Sequence, residues 1–399
     1  MPSPSPPPGE ADRPRSHPFD AISEAALRRR QSVKWRAHGE DVLPAWIAEM
    51  DFPLAEPIRR VLHAAIDDDD AGYADPRGLG EATAAWTRQL WGWEIARGDV
   101  HVVADVVTGI TEVIRAATAP GDGVVIEPPV YHPFANTIRG NARIVVEAPL
   151  AVRDGGYIPD LAAIERAYAS GARLHVLCSP HNPTGIVYTR YELAQIAELA
   201  DHHGVLVIAD EIHAPMTLAG ATHHPFPTIS EAAARRSIVM TSASKTWNLA
   251  GLKAAMMIAC GDHGRGCLAK LSPNLPFYAG HLGILATRAA LGEGESWRQS
   301  ALAILERNRA LLGELLARHA PAIRWAPQHA GYLAWLDCRA LGLGDDPARA
   351  FLDRGRVALS SGPMFGSQGA GFARLNIATT RSLLEEAVRR IARAVIVDA

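Results

Sequence analysis

A lysine flanked by small hydroxyl residues at the end of an apolar run carries the most chemistry in this sequence. Lys245 stands in Ser242-Ala243-Ser244-Lys245-Thr246-Trp247-Asn248, directly after Ile238-Val239-Met240. Partial burial disfavours an ammonium, so such an amine can attack an aldehyde and form a Schiff base. The hydroxyls of Ser242 and Ser244 can bind a phosphate ester, and Lys253 can bring a positive charge to it. Taken alone, these residues would also make an ordinary solvated loop.

Four groups upstream give the lysine its weight. Gly109-Ile110-Thr111 falls between a predicted strand and a predicted helix, where free N–H groups and the helix dipole favour a phosphate; a plain glycine turn is the alternative. Tyr131, in Pro128-Pro129-Val130-Tyr131-His132-Pro133-Phe134, could stack on a flat aromatic ligand or simply pack. Asn182, between Pro180 and Pro183, could hydrogen-bond a ring hydroxyl, although a turn has the same composition. Asp210 ends an apolar strand at Asp210-Glu211-Ile212-His213 and needs a partner there; a protonated pyridine nitrogen would be one, a helix N-cap another. Together they supply what a pyridoxal 5′-phosphate (PLP) ring requires.

The elements that must position these groups follow from hydrophobic periodicity. Short apolar runs at residues 101–103, 123–127, 142–148, 174–179, 205–210, 237–241 and 254–260 predict strands. Several lack polar alternation, as in strands buried on both faces of a mostly parallel sheet. Helical stretches at 111–119, 160–169, 190–203 and 229–234 alternate with them. This predicts an α/β fold, a large domain with a mostly parallel central sheet wrapped by helices, with ligand groups at the strand carboxyl ends. Helices at 283–291, 295–319, 346–354 and 381–396, with strands at 322–325, 331–337 and 373–377, predict a smaller α+β domain. The expected organisation is a proline-rich disordered arm (1–17), an N-terminal segment joining the small domain (18–60), the large cofactor-binding domain (61–292) and the small domain (293–399). Phe19 to Arg29 reads as one amphipathic helix.

Composition narrows the partners. A formal net charge of −3 over 399 residues gives no reason to expect nucleic acid or an anionic membrane. No apolar run approaches the roughly 18 residues of a membrane span, and no secretory signal is expected. The four cysteines show no metal-ligand spacing and read as reduced thiols of a cytoplasmic protein, with no metal site.

The order Tyr131, Asn182-Pro183-x-Gly185, Asp210-x-x-His213, Ser242-x-x-Lys245 and Arg374 resembles the fold-type I PLP enzymes, aminotransferase class I/II. Within them, Leu43-Pro44-x-Trp46-x-Ala48-x-Met50-Asp51-Phe52, Pro129-Val130-Tyr131-x-Pro133-Phe134 and Ser244-Lys245-Thr246-x-Asn248-Leu249-Ala250-Gly251 are similar to the MalY/PatB-type C–S β-lyases. The resemblance implies that Lys245 carries the cofactor and moves protons, Tyr131 flanks the ring, Asn182 binds its hydroxyl and Asp210 pairs with its nitrogen. It implies phosphate contacts from Gly109, Ile110, Ser242 and Lys253, and places Thr111, His213 and Ser244 among the cofactor residues. It assigns the substrate carboxylate to Arg374, with Trp46, Asp51 and Asn182 around the substrate. Tyr73 would reach the phosphate of a second subunit, which implies a homodimer with shared sites. The implied reaction is β-elimination from L-cystathionine or another cysteine S-conjugate, with an aminotransferase or a PLP-binding regulator of little turnover as alternatives. Two departures stand out: Lys253 replaces a residue that is often Gln in these lyases, and Ala214-Pro215-Met216 follows His213 where the family carries an Asp.

Overall fold

Four consecutive strands that are apolar on both faces can only be central, and they lie side by side in the middle of the larger sheet. The computed structural model describes residues 17–153 and 155–395; the arm expected at 1–17 lies outside them except for His17. The larger sheet consists of β1 (Val100–Val103), β2 (Gly123–Ile126), β3 (Ile144–Glu147), β4 (Leu174–Cys178), β5 (Leu206–Asp210), β6 (Ser237–Thr241) and β7 (Ala255–Ile258). Their order is β1-β7-β6-β5-β4-β2-β3. All pairs are parallel except those of β7, which is antiparallel to both neighbours. Every residue of β4, β6 and β7 is buried, as a sheet covered on both faces requires.

Register then places the chemistry. Cys178 on β4 lies opposite Asp210 on β5, and Asp210 opposite Met240 on β6. The three strands therefore end level, and the loops holding Asn182, Asp210 and Lys245 leave one edge together. Helix α1 (Val106–Ala117) packs beneath that edge against β6 and β7.

A second sheet follows, of β8 (Arg324–Trp325), β9 (Leu333–Asp337), β10 (Ser360–Ser361) and β11 (Phe372–Asn376), in the order β8-β9-β11-β10 and antiparallel throughout. Arg374 is centred in it, opposite Trp335 on one side and Ser360 on the other. Helices α2 (Glu295–His319), α3 (Pro347–Asp353) and α4 (Arg381–Val395) cover it. Neither β10 nor the pairing of Ala151–Arg153 with Gly156–Ile158 was expected, because such short strands leave no apolar run to read.

The chain before the large sheet is tied to the second one. Leu43–Pro44 pairs in parallel with Val357–Ala358, and Asp51 donates its amide to the Ala378 carbonyl at 2.9 Å. The helix expected over Phe19 to Arg29 is interrupted: a 3-10 turn, Pro18–Ala21, precedes the helix Glu24–Arg28. Extended backbone at Ser23 breaks the run, and its hydroxyl caps the helix by accepting from the Ala26 amide at 3.2 Å.

Asp51 corrects the sequence reading. It does not border the large cavity between the two sheets. Its Oδ1 lies 2.8 Å from Lys34 Nζ and accepts from Trp35 Nε1 at 3.1 Å, with both charged side chains almost fully buried. A buried pair loses about 3–5 kcal/mol when one partner is removed, because the other charge is left uncompensated. Lys34→Met should therefore lower the unfolding free energy measured by urea denaturation by an amount in that range, and Lys34→Met combined with Asp51→Asn should recover part of the loss. An unchanged midpoint in the single variant would show that the pair does not anchor this segment.

Candidate active site

The level strand ends of the large sheet face the second sheet across a cavity of about 970 Å³. That volume lies at the upper end of the roughly 300–1,000 Å³ usual for small-ligand pockets, enough for a cofactor and a second molecule. Of the residues expected from sequence, the cavity is lined by Trp46, Tyr131, Asn182, Asp210, His213, Ser242, Ser244, Lys245, Lys253 and Arg374.

Lys245 sits in a single helical turn, Ala243–Thr246, immediately after β6. Its amine donates to the Ala48 carbonyl at 2.9 Å. Burial, then the nearby charge of Arg374, brings its pKa down to about 8. A substantial neutral fraction therefore exists near neutrality, as a nucleophile and base needs.

Asp210 is 4% exposed and accepts one hydrogen bond, from the Ile212 amide at 3.1 Å. Among the described residues no cation pairs with it directly. Burial pushes its carboxyl up to about 7, against a smaller downward pull from that amide. A buried carboxylate in this state is a receptor for a cationic or proton-bearing nitrogen.

Arg374 is 5% exposed and donates from Nη1 to Asn182 Oδ1 at 2.9 Å, and from Nη2 to the Trp46 carbonyl and Ser360 Oγ, each at 3.0 Å. Its guanidinium lies 4.9 Å over the Phe365 ring, and its buried Nε has no partner. Burial lowers its pKa to about 10, so it stays charged. His213 is also buried, edge-on to Tyr332; burial, reinforced by the charges of Lys245 and Arg374, brings it to about 3 and keeps it neutral. Tyr131 stands with its ring edge-on to Phe134 at 5.5 Å.

The phosphate end differs from expectation. Helix α1 begins at Val106, with Asp105 as its N-cap accepting from the Thr108 amide at 2.8 Å. Gly109, Ile110 and Thr111 therefore lie inside the helix, and none borders the cavity. The Gly109 amide is spent on the Asp105 carbonyl at 3.0 Å, and Thr111 Oγ1 donates to the Val107 carbonyl at 2.8 Å. Gly109 serves packing: a Cβ there would meet Met240 Sδ at 3.2 Å and Met257 Cγ at 3.3 Å. The overlooked signal was an Asp immediately before an apolar periodic run, which marks a helix start. Among the described residues the amides of Val106 and Val107 have no protein acceptor, and both residues border the cavity. Lys253 lies beside them, its amine 2.8 Å from Asp105 Oδ2.

Other residues bordering the cavity were given no role from sequence: His38, Asp105, His132, Asp346, Arg349, Ser360 and Phe365. They come from loops and short elements far apart in the chain. Tyr73 lies outside the cavity and is 89% exposed, its ring edge-on to Phe277.

Ser242 Oγ is engaged, donating to the Ala254 carbonyl at 2.7 Å and accepting from the Ser244 amide at 3.0 Å. The remaining donor set fits PLP: free amides, the Ser244 hydroxyl and a lysine at one end of the cavity, an unpaired buried carboxylate at Asp210, a ring at Tyr131 and an amine at Lys245. Over residues 44–391 the sequence matches the model of the family aminotransferase class I and II. The chain belongs to that family. A Mycobacterium leprae protein is 42% identical over 403 residues, covering 96% of this chain and 99% of its relative. Cystathionine beta-lyase PatB of Bacillus subtilis is 34% identical over 370 residues, covering 90% and 96%. The crystal structure of cystalysin from Treponema denticola, which contains a pyridoxal 5′-phosphate cofactor, superposes with a TM-score of 0.87 at 27% identity, covering 92% of this chain and 96% of that one.

Burial of Asp210 makes the cofactor-free protein pH-sensitive in a defined direction. Between about pH 4 and pH 7 the folded protein holds a proton on Asp210 that the unfolded chain has released, so stability falls as pH rises through that window and levels off above it. The urea midpoint of wild-type apoprotein, minus that of Asp210→Asn, should decline from pH 5 to pH 7. A difference that is flat or rises with pH would refute the burial account.

Proposed function

We propose that this family member is a PLP-dependent C–S β-lyase that acts on L-cystathionine or a related cysteine S-conjugate and releases a thiol, pyruvate and ammonia. The observation that carries the reading is the joint placement of Lys245, Asp210 and Arg374 on one cavity, in a chain 34% identical to PatB.

The phosphate would be held by the Val106 and Val107 amides, Ser244 and Lys253, with Ser242 at the same end once its hydroxyl turns from the Ala254 carbonyl. Asp210 would hold the ring nitrogen, Asn182 would donate to the ring hydroxyl from an Nδ2 that has no protein acceptor among the described residues, and Tyr131 would flank the ring. Bound there, PLP supplies an aldehyde and an electron sink for charge developing at the substrate α-carbon. Arg374 receives the α-carboxylate as a bidentate partner, a geometry lysine cannot reproduce. Lys245 removes the α-proton, and its lowered pKa suits that work near neutral pH. Departure of the β-thiolate yields an enamine that water converts to pyruvate and ammonia.

With L-cystathionine, homocysteine and pyruvate should appear in equal amounts, and Lys245→Ala should lower that rate at least about 1,000-fold. Conversion of the cofactor to its amine form, reversed by an added oxo acid, would instead establish transamination. Binding of PLP with no product at all would favour a regulator.

The exposed aromatic residues Tyr73, Phe277 and Tyr278 support a homodimer in which Tyr73 reaches the partner's phosphate site. The four free cysteines favour the cytoplasm. Among the described residues no helix is long and apolar enough to cross a membrane. Sedimentation equilibrium should return twice the chain mass, and Tyr73→Ala should weaken PLP binding without dissociating the dimer; a monomeric wild type would end the shared-site reading.

A further inference from the structure

The cofactor and the reacting end of the substrate leave one stretch of the cavity wall unaccounted for. It begins beside Arg374, whose Nη2 donates to Ser360 Oγ on β10. From there the wall continues through Ser361 and Met364 to helix α3, which packs against β10 and β11. Most of what α3 and its surroundings contribute is apolar: Ala348, Leu352, Met364 and Phe365.

Two charged residues interrupt that surface. Asp346 precedes α3, and its Oδ1 is buried with no hydrogen-bond partner. Arg349, three residues on, also borders the cavity. Its nearest carboxylate is Asp353, 3.9 Å away, and both side chains of that pair are largely exposed, so the contact adds little and leaves the guanidinium available. A wall built only for an apolar leaving group would need neither charge. One carboxylate and one guanidinium on the same wall match a ligand carrying an ammonium and a carboxylate on one carbon. That is the α-amino-acid head.

We infer that Asp346 and Arg349 form a distal subsite for the second amino-acid head of the leaving thiol, which selects L-cystathionine-like conjugates over S-alkyl cysteines. Arg349 takes the distal carboxylate through paired N–H donors, and Asp346 takes the distal ammonium. Arg374 cannot serve both heads, since it is committed to the carboxylate beside the bond that breaks. The inference rests on the lyase reading of this site.

The test compares L-cystathionine with S-ethyl-L-cysteine, which has the reacting head and no distal one. In the holoenzyme, Arg349→Met and Asp346→Asn should each lower the ratio of kcat/KM for L-cystathionine to that for S-ethyl-L-cysteine by about tenfold or more. The change should lie mainly in KM, as expected when uniform binding is lost. Arg349→Lys should retain part of the preference. Equilibrium titration of Lys245→Ala holoprotein supplies a readout free of turnover: adding Arg349→Met should weaken L-cystathionine binding about tenfold and change S-ethyl-L-cysteine binding less than about twofold. An unchanged ratio, or equal losses for both substrates, would overturn the subsite while leaving the lyase intact. A wild type that releases pyruvate from neither substrate would overturn the lyase reading itself.

Discussion

Between Trp46 and Asp51 the backbone crosses the interior with neither helix nor ladder to satisfy its carbonyls, and buried carbonyls must find donors. The donors come from side chains on every surrounding element. Arg374 and Ser360 bind the Trp46 carbonyl, and Lys245 and Tyr332 bind that of Ala48. Asn376 takes those of Ile47 and Glu49, Lys34 shares Glu49, and Asn248 pairs with both the amide and the carbonyl of Met50. This irregular strip joins the loop carrying Lys245 to the strand carrying Arg374. Its hydrogen-bond demand therefore sets the position of the nucleophile relative to the carboxylate receptor.

Burial then sets the charges. The environment that lowers Lys245 to about 8 raises Asp210 to about 7 and brings His213 to about 3. In each case desolvation is the largest cause, so one physical effect prepares an amine to lose its proton, a carboxyl to meet a nitrogen and an imidazole to stay neutral. Arg374 keeps its charge because guanidinium begins so far above neutrality. One cavity thus presents opposite proton demands within a few side chains, the arrangement that acid–base chemistry requires.

The large sheet could be read from the chain because its strands are unbroken apolar runs with helical stretches between them; all seven appear, with ends moved by a few residues at most. Asp210 ends such a run, and Asn182 and Lys245 each follow one by four residues, so parallel register brings all three to one edge. The misreadings have local causes. Two valines after Asp105 look like loop or strand until the aspartate is recognised as a cap, so the expected helix start fell at Gly109 to Thr111 and not at Val106. Asp51 looks like a pocket acid beside Met50 and Phe52, and only its distance from the cavity and its nearness to Lys34 show it to be a buried anchor.

Sequence alone determined the alternation of strands and helices, the residue types at strand ends and hence the kind of cofactor, since these depend on periodicity and on chemistry carried by short contiguous stretches. Tertiary structure decided which acids face the cavity, that the helix start bordering it is Val106 and Val107, and that Asp346 and Arg349 line the same cavity as Arg374. Those facts depend on how separate loops and elements are pressed together around one space, and no local spacing records how the second sheet closes over the first.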